Sequence, residues 1–578
     1  MKKAKRLLTL VMCTSMLFTA TACGGGNNVI DDGDEPAYGS VVEVQLYHPG
    51  GYGREFLDKL GEAFAETFKD KGYSINIVKA EKELNTENEI LTPKKTTTDL
   101  YFSGGFSVLS AIEQSFGVLK TKDQVLLEDL TDSFYNSYAI GKDGKEESVK
   151  IIDKMNQEAL QYTQYYGTKT QWRNKYYYMP WANSVTGFAV NADLLKNTFG
   201  LDIPVTTAEM IEQFEVIKEH EKDKPAESKI APQVTAMDNA WGWWFYVTSV
   251  WHSQYSGAET WENFFKVVPP SGNIQEGYEI YNDDGIEYAY RTLLQMLRPE
   301  NAPANSGGWD ASTAAAAELS GKAVFFITGD WLANEMKKDF AEESAAMTMM
   351  KTPIVSELGV KLRLDGSTAG VDADEEKCEE VLRATVKLID EGKSNAEIIS
   401  EVSSSCGVTL TNDQIETLRT ARGIYYNLGY NHQAIVPSFA KNRKLAVMFL
   451  RYMASDDGID IFRKYALATL PFRSTKEIEG DLSELQRSCA AIADSEYAYS
   501  ICEREDFSTL RSVAGLQRFN GSYSSIVLNS WNDAILTPEE KTGTVKEQAI
   551  KAAKKFRDDE YDWAKKNWAS LLDMAGIF

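Results

Sequence analysis

The chain has 578 residues, too many for a single core, so two or more lobes are expected. An apolar content of 43%, with Phe, Trp and Tyr at 11%, excludes a disordered protein. A formal net charge of −24 argues against nucleic acid, which demands basic patches, and against a body that lies on an anionic bilayer.

The first segment reads as a leader. Lys2, Lys3, Lys5 and Arg6 precede an apolar run over residues 7–18, and Ala20-Thr21-Ala22-Cys23 follows. The apolar run is too short for a comfortable membrane span. The tetrapeptide resembles the lipobox of bacterial lipoproteins, with Ala20 where Leu is commoner. That resemblance implies cleavage before Cys23, a lipid on Cys23, and residence on the extracellular face of the cell membrane. The leader is then 1–22, and 23–40 is a flexible, polar, acidic tether. Removing four positive charges with the leader leaves −24 − 4 = −28.

Beyond the tether, VVEVQLYH at 41–48 predicts a strand and residues 49–53 a loop. Phe56, Leu57, Leu60, Phe64 and Phe68 have helical spacing over 55–68. SINIV at 74–78 and DLYFS at 99–103 predict further strands. Strand, helix and strand in this order are the grammar of a parallel α/β sheet, which binds ligands at the carboxyl ends of its strands. Residues 176–179 and 185–191 predict two strands separated by the breaker Pro180. Residues 204–207 cap a helix over 208–220, with Met210, Ile211, Phe214 and Ile217 inward. Trp241, Trp243 and Trp244 cluster at one place, where alternation would turn one or two of them to the core. At 320–336, SGKAVFFITGDWLANEM, an apolar strand ends on Gly329, Asp330 and Trp331, and a helix-like pattern follows.

Four runs carry a family resemblance. YYYMPWANSVTGFAVNADLLKNTFGLDIPVTTAEM (176–210), GKAVFFITGDW (321–331), NRKLAVMFLRYMASDD (442–457) and LPFR (470–473) resemble, in order, motifs of extracellular solute-binding proteins of carbohydrate ABC transporters. The resemblance implies the α/β, two-lobe, type II periplasmic-binding-protein-like fold, with lobes joined by crossing strands and closing on a solute. It assigns 41–183 and 345–470 to a first lobe, and 184–344 and 471–578, with C-terminal helices over 522–536 and 544–572, to a second. The chain departs from the family over about 365–431, read as a helical insertion on the first lobe. Its helical patterns run over 376–391, 396–402 and 414–426, with Ser394 and Asn412 or Asp413 as N-caps.

A sugar presents hydroxyls around its rim and C–H faces above and below. Aromatic rings accept the faces, and short polar side chains pair with the hydroxyls. On that chemistry the candidate ligand-binding residues are Trp331, Trp181, Asp330 and Asn183, then Trp243, Trp244 and Trp309. His48, Tyr52, Arg54 and Phe106 lie at strand-end loops of the first lobe, and Tyr430, Asn431, His432 and Arg473 where the chain returns to the cleft. For Asp330 the competing role is a helix N-cap; for the tryptophans it is core packing.

Catalysis finds little support. The four His residues, 48, 220, 252 and 432, form no HExxH or cluster; Asp283-Asp284-Gly285 lacks the rest of a calcium loop; no GxSxG or GxxxxGK[ST] occurs. No cofactor and no metal are expected. Cys378, Cys406, Cys489 and Cys502 make no CxxC pair, and their spacing leaves disulfides and buried thiols equally open. The expectation is a monomeric, membrane-tethered, non-enzymatic receptor that passes a carbohydrate, an oligosaccharide by its wealth of Trp, to an ABC permease. The alternatives are a non-sugar solute such as a peptide and a surface glycoside hydrolase.

Overall fold

The computed structural model describes residues 35–46, 51–79, 89–93, 96–104, 107–120, 124–165, 167, 170–476, 480, 482–502 and 516–575. Cys23, the leader and most of the tether, together with His48 and Phe106, lie outside the described residues.

The chain begins in one sheet. β1 (Val41–Leu46) leads to a helix, Glu55–Thr67, that buries Phe56, Leu57, Leu60 and Phe64 as their spacing predicts. β2 (Ser74–Lys79) and β3 (Leu100–Gly104) flank β1 in parallel, with Val44 opposite both Ile77 and Leu100. A hairpin of β4 (Tyr138–Ile140) and β5 (Glu146–Lys150) stands apart. β6 is only Met179–Pro180, at the sheet's edge, where a proline costs no ladder bond. The chain then crosses over. β7 (Val185–Val190), β8 (Ala231–Val234), β9 (Ala323–Gly329), β10 (Thr348–Met349) and β11 (Ile424–Asn427) belong to a second sheet. β12 (His432–Ile435) returns antiparallel to β3, and β13 (Tyr499–Ile501) ends in the second sheet. The orders are β2-β1-β3-β12-β6 and β13-β11-β7-β9-β8, with β10 on β7. Every residue of β7 and β9 is buried, which explains their near-continuous apolar sequences: helices cover both faces.

Three segments cross between the lobes, near residues 181–184, 428–431 and 467–475, and they are bonded to one another. The Asn183 amide donates to the Thr469 carbonyl at 2.9 Å, and Asn427 Nδ2 to Asn183 Oδ1 at 2.5 Å. Gly429 donates its N–H to Asn427 Oδ1 at 2.8 Å. Gly429 lies so close to the neighbouring crossing that a Cβ there would sit 2.3 Å from the Ala182 carbonyl oxygen and 2.5 Å from the Ser184 nitrogen. Only glycine fits.

The insertion does not sit on the first lobe. β10 and β11 both pair with β7, and the helices Glu375–Asp390, Asn395–Cys406 and Asn412–Gly423 bury Val381, Leu382, Val386, Ile398, Val402, Ile415 and Leu418 in the second lobe's core. Arg383 pairs with Glu212 at 2.7 Å and Lys387 with Glu209 at 3.1 Å, both on the helix Thr207–Glu221. Thus 348–427 belongs to the second lobe. In contrast, Arg473 donates its backbone N–H to the Lys154 carbonyl at 2.8 Å, so the first lobe extends slightly beyond 470.

Three local expectations also change. The third insertion helix ends at Gly423, because Ile424, Tyr425 and Tyr426 suit a strand and extend β11. Its N-cap is Thr411, one residue ahead of Asn412, in a capping box with Gln414. Trp241, Trp243 and Trp244 lie on a helix, Ala240–Ser256, so they fan out around it rather than alternating. The C-terminal helix, Val545–Met574, is capped by Thr544 and Glu547 and lies on the helix Asp284–Met296. Cys378, Cys406, Cys489 and Cys502 are buried free thiols.

Candidate functional site

The lobes meet where the loop after β1 faces the end of β9. Tyr52, fully buried, donates its phenol O–H to Asp330 Oδ1 at 2.8 Å and is also hydrogen-bonded to the Ser184 hydroxyl. Its ring meets Trp181 edge-on at 5.8 Å, His432 at 5.4 Å and Trp331 at 6.5 Å. Asp330 does not cap a helix: the short helix Leu332–Met336 begins after Trp331 without a side-chain cap. It is 3% exposed, its second carboxyl oxygen has no hydrogen-bond partner among the described residues, and burial pushes its pKa up to about 8, against the lowering effect of the Tyr52 hydrogen bond. At neutral pH this carboxyl is largely protonated, able to donate as well as accept.

A row of rings runs from this point across the second lobe's face. Trp331 lies 6.2 Å from Trp243, Trp243 6.0 Å from Tyr246, and Tyr246 stacks on Tyr426 at 5.1 Å. Trp243, Tyr246 and Leu428 are partly buried and touch the cores of both lobes, so they line the junction. The indole N–H groups of Trp181 and Trp243 are buried without a partner among the described residues. On the first lobe's side, Tyr162 donates to Asn431 Oδ1 at 2.6 Å and its ring lies 5.0 Å from that of Tyr430.

The sequence profile of the family described as bacterial extracellular solute-binding protein matches residues 108–393. The chain belongs to this family. Comparison with curated proteins finds no match. A structure described in work on xylan utilisation by the thermophilic bacterium Caldanaerobius polysaccharolyticus is 12% identical, with a TM-score of 0.51 over 89% of this chain and 100% of that one. The apo form of RafE from Streptococcus pneumoniae is 11% identical, with a TM-score of 0.50 over 91% and 100%. At such identities the likeness establishes the fold, two α/β lobes of the type II kind.

In this solute-binding protein the expected site residues divide. Trp331, Asp330, Tyr52, Trp243 and His432 converge on the junction. Trp181 supports them from the first lobe's core, fully buried between Phe56 at 5.6 Å and Phe102 at 5.8 Å. Asn183 belongs to the crossing strands, bonded to Asn427 and Thr469; Tyr430 and Asn431, on the second crossing, are bonded to Ser500 and Tyr162. Trp244 is sealed in the second lobe's core beside Trp251, with its indole N–H donating to Thr235 at 3.2 Å. One helical step, about 100°, separates it from Trp243. Trp309 is half-buried on the second lobe's other core, and its carbonyl accepts from Met237 at 2.8 Å. Arg54 turns away to Asp58 at 3.0 Å and the Ile77 carbonyl at 3.3 Å, and Arg473 is exposed on the third crossing.

Tyr246, Ser184 and Asn334 escaped the sequence reading. Reading 240–256 as a helix would have placed Tyr246 one turn from Trp243, on the same face. Ser184 and Asn334 gave no signal of their own. Among the described residues, no three His, Cys, Asp or Glu side chains are grouped to hold a metal ion, and no helix is long and apolar enough to cross a membrane.

Proposed function

We propose that this protein captures a carbohydrate, an oligosaccharide of more than one ring, between its lobes and delivers it to an ABC permease without breaking a bond. It does so from the extracellular face of the membrane, where a lipid on Cys23 holds it. The observation that carries this reading is the row Trp331, Trp243 and Tyr246 at the lobe junction, flanked by hydrogen-bonding atoms with unmet capacity: Asp330 Oδ2 and the indole N–H groups of Trp181 and Trp243. Flat apolar faces beside unmet donors and acceptors suit a solute with C–H faces and hydroxyl edges. Binding energy that is larger in the closed arrangement then shifts the lobes toward closure.

The test is a thermal-shift screen over a glycan library, with peptides alongside. A glycan at 100 times its dissociation constant stabilises the folded chain by about 2.7 kcal/mol. Shifts with peptides and none with glycans would replace the sugar reading by the peptide one. Release of reducing ends from a polysaccharide would make the protein a hydrolase.

A further inference from the structure

The loop at residues 51–54 does more than border the junction; it fills it. Tyr52 leaves the first lobe and ends on the second, at Asp330 and at Ser184 beside the crossing strands. The Gly51 carbonyl accepts from the Asn334 side-chain amide on the far lobe. Gly51, at φ +86°, backs onto Trp331 so tightly that a Cβ would lie 2.7 Å from Trp331 Cβ. Lys337 reaches Glu55 at 3.2 Å across the rim, an exposed pair that adds little. All these bonds join groups of the chain itself, so the closed arrangement has a source of stability other than a solute. They also cover the ring a solute needs, since Trp331 keeps only 5% of its surface.

We propose that the loop at residues 51–54 is an internal latch: Tyr52, held by Asp330 and Ser184, and Gly51, held by Asn334, close the lobes on each other and must withdraw before a solute reaches Trp331. The latch rests on the reading of this junction as the solute site. Its physical content is a pre-equilibrium. Apparent affinity falls by the fraction of molecules unlatched, and a change that weakens the latch raises that fraction. The ring of Tyr52 packs against Trp181 and Phe56's neighbour Phe462 in the first lobe, at 5.8 Å and 6.2 Å, so Tyr52→Phe keeps the packing and removes the hydrogen bonds to Asp330 on the second lobe and to Ser184 on the crossing. Of the two bonds lost, the one to Asp330 spans the lobes, and its loss alone shifts the latched-to-open ratio about fivefold.

Small-angle X-ray scattering of the full chain without added solute reads the latch directly. The wild type is expected to scatter as the compact, closed form, and Tyr52→Phe to show a larger radius of gyration. Asn334→Ala, which cuts the second tie from the opposite lobe, is expected to move the same way, and guards against a folding defect peculiar to either variant. Circular dichroism checks that both are folded. Superimposable curves for the wild type and two folded variants would overturn the latch, as would an open wild type. Because no solute is used, the two readings can fail separately. An open wild type that still binds a glycan leaves the receptor and removes the latch; a compact wild type that the variants open, with no glycan bound, does the reverse.

Discussion

Asp330 gives the sharpest test of the site's electrostatics. In an unfolded chain an Asp titrates near 3.9; here burial lifts it to about 8. Below pH 4 both states are protonated and the residue contributes no pH dependence. Between pH 4 and 8 the folded chain holds one proton more than the unfolded chain, so stability falls as pH rises; above 8 the loss levels off. The gap of about four pH units, at 1.36 kcal/mol each, sets a ceiling on the order of 5 kcal/mol. Water reaching Asp330 as the lobes part reduces that ceiling. Asp330→Asn keeps the shape and the Oδ1 acceptor for Tyr52 but cannot ionise. Melting temperatures of wild type and Asp330→Asn at pH 5, 6, 7, 8 and 9, without solute, isolate the effect, since other titrating groups cancel in the difference. The variant's advantage should grow steadily to pH 8 and then flatten. Parallel curves across that range would refute the argument that a buried, poorly solvated carboxyl sits at the lobe junction.

Other substitutions probe the remaining parts. Trp243→Ala should weaken binding of the solute found by thermal shift at least tenfold, by roughly 1.4 kcal/mol or more, while Trp244→Phe should lower the melting temperature and leave the dissociation constant near its wild-type value, both read by calorimetry. Gly429→Ala should lower the melting temperature, because its Cβ must displace the Ala182–Ser184 crossing by more than a side chain can absorb; unchanged melting would mean that the crossings are loosely packed. Lys154 is buried against Glu147 at 2.9 Å and Asp456 at 3.0 Å, so Lys154→Ala, which strands two carboxylates, should cost about 3–5 kcal/mol in denaturant unfolding.

Many of the strands and helices were legible because their signals are local, whereas the helix Ala240–Ser256 and the strand Ile424–Asn427 were not. The spacing of Phe56, Leu60 and Phe64, the Ser394 N-cap, and the near-continuous apolar runs of β7 and β9 each depend on a few neighbouring residues. The two lobes followed from motifs in the right order. Which lobe receives the insertion did not, because an amphipathic helix shows that it has a buried face and not what covers it; the Arg383–Glu212 contact joins residues 171 apart. The same limit divides the tryptophans. Trp243 and Trp244 are indistinguishable in composition, and only the orientation of their helix between two cores sends one to the junction and the other inside. Asp330 looked like a cap in the sequence, where nothing could show a phenol 278 residues away. Sequence by itself determined many of the elements, the family resemblance and the kind of residue a sugar site needs; tertiary structure alone decided which of those residues meet, because contacts between lobes are set by the sum of many distant packings and leave no periodic trace along the chain.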